Sequence, residues 1–186
     1  MKEKFGLYIA NLYKDIPVSV YEGLLIIFCV GTVGIIAFCG WKRGWRKVIG
    51  LLLAEYVVLI YCSTVFCRKV SEGVVGHNFS PFWSYEAIKN GKEDLIAENV
   101  MNVVVFVPVG IILGSLLKVK GSWLIALMVG MGISGSIEAM QYFLKRGFSE
   151  VDDVIHNTIG CILGYILVLL VAKLCKSGRA ERMVHG

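Results

Sequence analysis

Long apolar runs alternate with short charged ones along this chain. Five runs approach the roughly 20 apolar residues a helix needs to cross a bilayer: about 21–40, 48–67, 99–117, 122–144 and 153–173. Ahead of them, within 1–19, Phe5, Tyr8, Ile9, Leu12 and Ile16 recur at helical spacing, with Lys4, Asn11 and Asp15 elsewhere and Pro17 at the end. That pattern predicts an amphipathic segment lying along a membrane surface. Between the second and third runs, 68–97 is polar, broken by Gly73, Gly76, Pro81 and Gly91, and carries Phe79, Phe82, Trp83 and Tyr85. The expected architecture is an all-α integral membrane helix bundle of about five spans. It consists of an interfacial segment, 1–19, and a single transmembrane domain, 20–186.

Composition supports this reading. A chain that is 56% hydrophobic, with mean hydropathy +0.71, is too apolar for an ordinary soluble domain. No small-x-small cleavage site follows the first apolar run, so it reads as a retained helix and not as a signal peptide. Cys29, Cys39, Cys62, Cys67, Cys161 and Cys175 form no CxxC pair and lie mostly within apolar runs. They read as small hydrophobes, with no disulfide framework or zinc site.

The net charge of +5 would suggest nucleic acid in a soluble protein. Here the cations sit in short segments between runs, so they encode orientation and no nucleic-acid binding is expected. Lys42, Arg43, Arg46 and Lys47 precede the second run, Lys118 and Lys120 the fourth, and Lys173, Lys176, Arg179 and Arg182 follow the fifth. The positive-inside rule puts these in the cytoplasm, with the N-terminus outside and the C-terminus inside. Segments 68–97 and 145–152 are then external, and carry Glu72, Glu86, Glu93, Asp94, Glu150 and Asp152.

The polar residues inside the runs carry the candidate chemistry. Glu98, Asn102 and Phe106 share a face of the third predicted helix, which Pro108 is expected to interrupt. Ser134, Glu138 and Gln141 share a face of the fourth, and Asp153, Asn157, Gly160 and Gly164 a face of the fifth, with His156 three positions after Asp153. The topology brings these polar residues to the outer side of three helices. Ionisable groups within a span are costly and face a partner or a cavity. Asp152 and Asp153 read as the N-cap and first turn of the fifth helix. Arg146 reads either as neutralising Glu150, Asp152 and Asp153 or, the favoured reading, as held by them so that its fork meets an external anion. Small residues predict close helix contact: Gly110 with Gly114, Gly132 with Ser136 or Gly135 with Ala139, and Gly160 with Gly164. The first two runs, poorer in polar residues, are expected to be lipid-facing flanks.

Three motifs in this order resemble the VanZ-like family of bacterial membrane proteins, over about 98–170. "NVVVFVPVG", Asn102 to Gly110, resembles its Asn-x3-Phe-x-Pro-x-Gly element. "EAMQ", Glu138 to Gln141, resembles its Glu-x2-Gln element. "RGFSEVDDVIHNTIGCILG", Arg146 to Gly164, resembles its Arg…Asp/Glu-x-Asp-Asp-x3-Asn-x2-Gly element, with Glu150 where the family often has Asp. The resemblance implies a multi-pass protein of the bacterial plasma membrane. The family is named for a member that lowers susceptibility to the glycopeptide teicoplanin.

Two function classes follow. In the first, Asn102, Glu138, Gln141, Arg146, Glu150, Asp152, Asp153 and Asn157 form an external pocket. It would hold an anionic envelope ligand, such as a lipid-linked precursor, a lipid head group or a glycopeptide, with the aromatics of 79–85 covering it. In the alternative, the protein is a membrane enzyme acting on a lipid-linked phosphate or sugar. Glu138, Asp153 and His156 would then supply acid/base chemistry or assist a divalent cation, although no nucleophile elbow, HExxH or P-loop occurs. No cofactor and no resident metal are expected. Membrane lipids are the expected partners, and nothing in the pattern bears on oligomeric state.

Overall fold

The computed structural model describes residues 27–28, 30–32, 34, 44–71, 76–117 and 123–184, with side chains up to Cys175. The expected surface segment 1–19 lies outside these residues, as does most of the first predicted span. The described positions of that span are helical. The elements that follow are α1 (Trp45–Tyr61), which continues as a π turn (Cys62–Phe66), β1 (His77–Asn78), α2 (Trp83–Lys89), α3 (Asp94–Leu117), α4 (Trp123–Leu144), β2 (Ser149–Glu150) and α5 (Val151–Val184).

Among the described residues, four helical segments are long and apolar enough to cross a membrane: Trp45–Phe66, Asp94–Leu117, Trp123–Leu144 and Val151–Cys175. They match the second to fifth predicted runs. Less than a third of each is buried inside the bundle, and Val58, Val104, Met128, Phe143, Leu170 and Leu174 are exposed. Hydrocarbon is the solvent that suits such outward faces. The chain is a membrane helix bundle, and the two-residue parallel pair β1–β2 is its one departure from all-α among the described residues.

α5 is the central helix, packed most extensively on α3 and then on α4. Glycine makes the first contact possible. A Cβ on Gly160 or Gly164 would fall on the carbonyl oxygens of Val103 or Val107, and one on Gly110 would fall on that of Cys161. The two backbones therefore touch along a reciprocal pair of GxxxG stripes, as expected from sequence. The α4 stripe differs from the expectation. Gly132 and Gly135 face open space and Ala139 is exposed, whereas Gly130 and Ser134 are buried, with Gly130 against Thr158 and Cys161. The correct stripe is two positions earlier than Gly132 and Ser136. The core between the helices is Ile60, Val65, Phe106, Val109, Leu113, Ala126, Ile137, Cys161 and Tyr165.

α3 runs unbroken through Pro108. Pro108 has no N–H to offer the Val104 carbonyl one turn back. The adjacent Val105 carbonyl accepts the Tyr56 hydroxyl of α1 at 2.9 Å. α1 is thus no lipid-facing flank. Arg46 donates to the Leu116 carbonyl (3.1 Å), and Tyr61 shares a hydrogen bond with Ser136 of α4. The first span also touches it: Thr32 donates to Glu55 at 3.0 Å.

At the other end of the bundle the two long connections are stitched together. β1 pairs with β2 through His77↔Ser149 and Asn78↔Glu150. Ser149 N–H donates to the Gly76 carbonyl (3.1 Å) and Ser71 N–H to that of Lys145 (2.7 Å). The Phe148 ring lies where a Cβ on Gly76 would be. The end of α1, α2, the start of α3, the end of α4 and the start of α5 therefore meet at one membrane face.

Candidate functional site

The site is built from carboxylates that secure backbone elsewhere in the chain. Asp152 stands in the first turn of α5 and is fully buried. Its carboxylate does not cap its own helix. Oδ1 accepts the Phe82 N–H at 2.5 Å, and Oδ2 accepts the Ser84 N–H at 2.9 Å and the Ser84 hydroxyl at 2.5 Å. These donors open α2, which begins after a left-handed Phe82 (φ 64°) and has no cap from that residue's own side chain. The first N–H groups of a helix need an outside acceptor, and Asp152 provides it from another helix. Asn99 of α3 donates to the Ser84 hydroxyl at 3.1 Å and completes the junction.

Glu138, near the end of α4, accepts the Glu150 N–H (2.8 Å) and the Ser149 hydroxyl. It thereby fixes the turn into α5. Glu150 in turn accepts the Trp83 indole N–H at 2.9 Å. The Tyr85 hydroxyl is 2.8 Å from His156 Nε2. Of the aromatic stretch, Phe82 thus meets an acid through its backbone N–H, Trp83 through its indole, and Tyr85 meets His156.

Below this layer Asn102 donates to Asp153 (2.7 Å), Asn157 to the Ser134 hydroxyl (2.8 Å) and Gln141 to the Thr64 carbonyl (3.0 Å). The last acceptor belongs to the π turn, a form that often marks functional sites. Asn102 of α3 thus meets Asp153 of α5, and Glu138 of α4 lies within electrostatic range of Asp153.

Arg146 is placed differently from the expectation. One of its terminal nitrogens donates to the Phe66 and Arg68 carbonyls at 2.5 and 3.3 Å, so the side chain fastens the end of α1. Arg68, half-buried, lies within electrostatic range of Glu98, Glu138 and Asp153. Sequence reasoning missed it. Its one cue was a cation on the side that the other cations marked as external.

Glu150 lies just outside the spans, and burial pushes its carboxyl up to about 7 from 4.5. Glu98 adds to the rise, the Trp83 indole opposes it, and Glu138 and Asp152 add again. The folded state therefore keeps a proton that the unfolded chain releases. This contribution to stability is complete below pH 4.5 and is lost as pH rises through about 7. The melting temperature of the purified protein should fall over that window, and Glu150→Gln should flatten part of the slope. An unchanged slope in Glu150→Gln would refute the assignment.

Among the described residues, no group of three or more His, Cys, Asp and Glu is arranged to hold a metal ion. Glu138 and Asp153 face the acidic cluster, whereas His156 turns to Tyr85, so the three candidate acid/base residues do not surround one point.

The profile of the family described as VanZ/LLP1 matches residues 48–172. The match takes in α1 through the spanning part of α5, including the second apolar run and Arg68, and is wider than the 98–170 stretch that carries the motifs. Comparison with curated proteins and with solved structures returns no match.

Proposed function

Because the chain belongs to the VanZ/LLP1 family, we propose that it acts at the bacterial cell envelope as a multi-pass protein of the plasma membrane. In this reading it lowers susceptibility to glycopeptides such as teicoplanin. The polar end of the bundle is external and engages an anionic envelope ligand, a lipid-linked precursor or the glycopeptide itself. The observation that carries the reading is the convergence of Asn102, Glu138, Asp153 and Asn157 beneath the α2 cap, with Arg68 at hand as the cation. Arg146 serves as a positioning residue that holds the Arg68 backbone. The enzymatic alternative is less well supported, since His156 stands apart from Glu138 and Asp153.

The sidedness is tested by labelling. Lys92 and the native Cys175 are both exposed. Lys92→Cys should react with an impermeant thiol reagent from outside and Cys175 only from within, and the reverse pattern would overturn the orientation. Ser149, on the other external connection, is only 2% exposed and makes a poor labelling site.

The function is tested by teicoplanin susceptibility in cells with matched amounts of each variant. Arg68→Gln should lose protection at full protein level. Arg146→Lys should retain it, because one terminal nitrogen makes both bonds to carbonyls and an ammonium can replace it. Wild-type susceptibility in Arg68→Gln would remove that residue from the site, and equal susceptibility with and without the protein would end the resistance reading.

A further inference from the structure

We propose that a lateral groove between α2, α3 and the start of α5 seats one hydrocarbon chain of a membrane lipid. This goes beyond the function proposed above and stands without it. The groove is a cavity of about 440 Å³ whose walls include Ile88, Ile96, Val100 and Val104, with Tyr85 and His156 at its polar end. Its volume falls within the range of ligand sites. It corresponds to roughly 15 carbon-sized units at about 30 Å³ each, water's share of liquid volume, which is close to one fatty acyl chain.

The location selects the occupant. Ile96, Val100 and Val104 form the open side, at 46%, 48% and 51% exposure, and all three lie on a membrane-spanning helix. The mouth therefore opens to hydrocarbon. A water-soluble ligand would have to cross that medium, whereas a lipid chain enters sideways from the leaflet. Asp, Glu, Lys and Arg are absent from the lining, so the buried part of the occupant is uncharged. The polarity runs along the membrane normal as a lipid's does. Tyr85 and Asn99 lie toward the surface connection. Val104, five residues further along α3, is about 7.5 Å deeper. The Tyr85 hydroxyl and the His156 ring, already paired at 2.8 Å, meet the ester end. Within a bilayer a chain gains no hydrophobic free energy by leaving other chains, so the site is distinguished by packing and by this polar end.

The test uses the full-length protein in phosphatidylcholine nanodiscs containing a phosphatidylcholine with a photoactivatable diazirine on one acyl chain. After illumination, adducts are mapped by peptide mass spectrometry. Adducts should concentrate on 88–104 and exceed those on the equally exposed Leu163, Leu167 and Leu170 of α5 by about fivefold or more. Val104→Trp fills the mouth and should reduce the 88–104 adducts at least about fivefold while leaving the α5 adducts unchanged. Val100→Phe, also at an exposed position, should do the same, and a thermal melt confirms folding of both. Uniform labelling of all exposed faces overturns the proposal, as does labelling indifferent to either folded variant. Absence of adducts at the groove overturns it too.

Discussion

Asp152→Ala should release α2 from the bundle. Three donors, the Phe82 and Ser84 N–H groups and the Ser84 hydroxyl, lose their acceptor at a position with no exposure to solvent. Hydrogen bonds to a charged acceptor contribute about 1.5–3 kcal/mol each. They are not additive here, because α2 has only seven residues and cannot stand as an isolated helix. The expected loss is about 3 kcal/mol or more. It should appear as a lower melting temperature and as loss of amide protection across 82–90. Asp152→Asn, which keeps acceptor oxygen but not charge, should fall between. Native protection of 82–90 in Asp152→Ala would show that α2 does not depend on this carboxylate. The bonds from Trp83 to Glu150 and from Tyr85 to His156 would then be sufficient anchors.

Gly160→Leu should be the most damaging single change in the membrane core. The added side chain begins where the Val103 carbonyl oxygen already lies, and backbone cannot step aside as a flexible side chain can. Overpacking costs about 1–3 kcal/mol where neighbours can yield, so a loss of about 3 kcal/mol or more is expected. Gly110→Val should behave alike because it meets the Cys161 carbonyl. Gly132→Ala and Gly135→Ala, which meet nothing, should be close to neutral. Thermal melts in one detergent compare all four variants. Equal melting temperatures for Gly160→Leu and Gly135→Ala would contradict the α3–α5 contact.

The polar cluster was legible in part. Asn102, Glu138 and Asp153 were placed together correctly because a span has only two ends. Once the order of the spans is known, residues at the end of one helix and the start of the next must share a membrane face. The i, i+4 spacing then aligns them on one side of each helix. The roles of the individual acids were not legible in the same way. An acid in the first turn of a helix suits its own N-terminus, and Asp152 was read so. It instead caps α2, whose donors are about 70 residues away in sequence.

The chain by itself determined the helical class, the second to fifth spans and the end of the bundle at which polar groups gather. The cause is the solvent: a backbone crossing hydrocarbon must satisfy its own hydrogen bonds, so run length and charge position suffice. Only the tertiary structure decided which side of each helix meets another helix. In water an apolar stripe marks the buried face. In lipid the outward face is equally apolar, and Gly130 could not be told from Gly132 by pattern alone. Only the tertiary structure, too, paired the long-range polar groups. Gln141 reaches Thr64, 77 residues away, and Arg146 reaches Phe66, 80 away, at carbonyls in and at the end of the π turn of α1. Such carbonyls have no side-chain signature, so their demand for donors becomes visible only when the helices are packed.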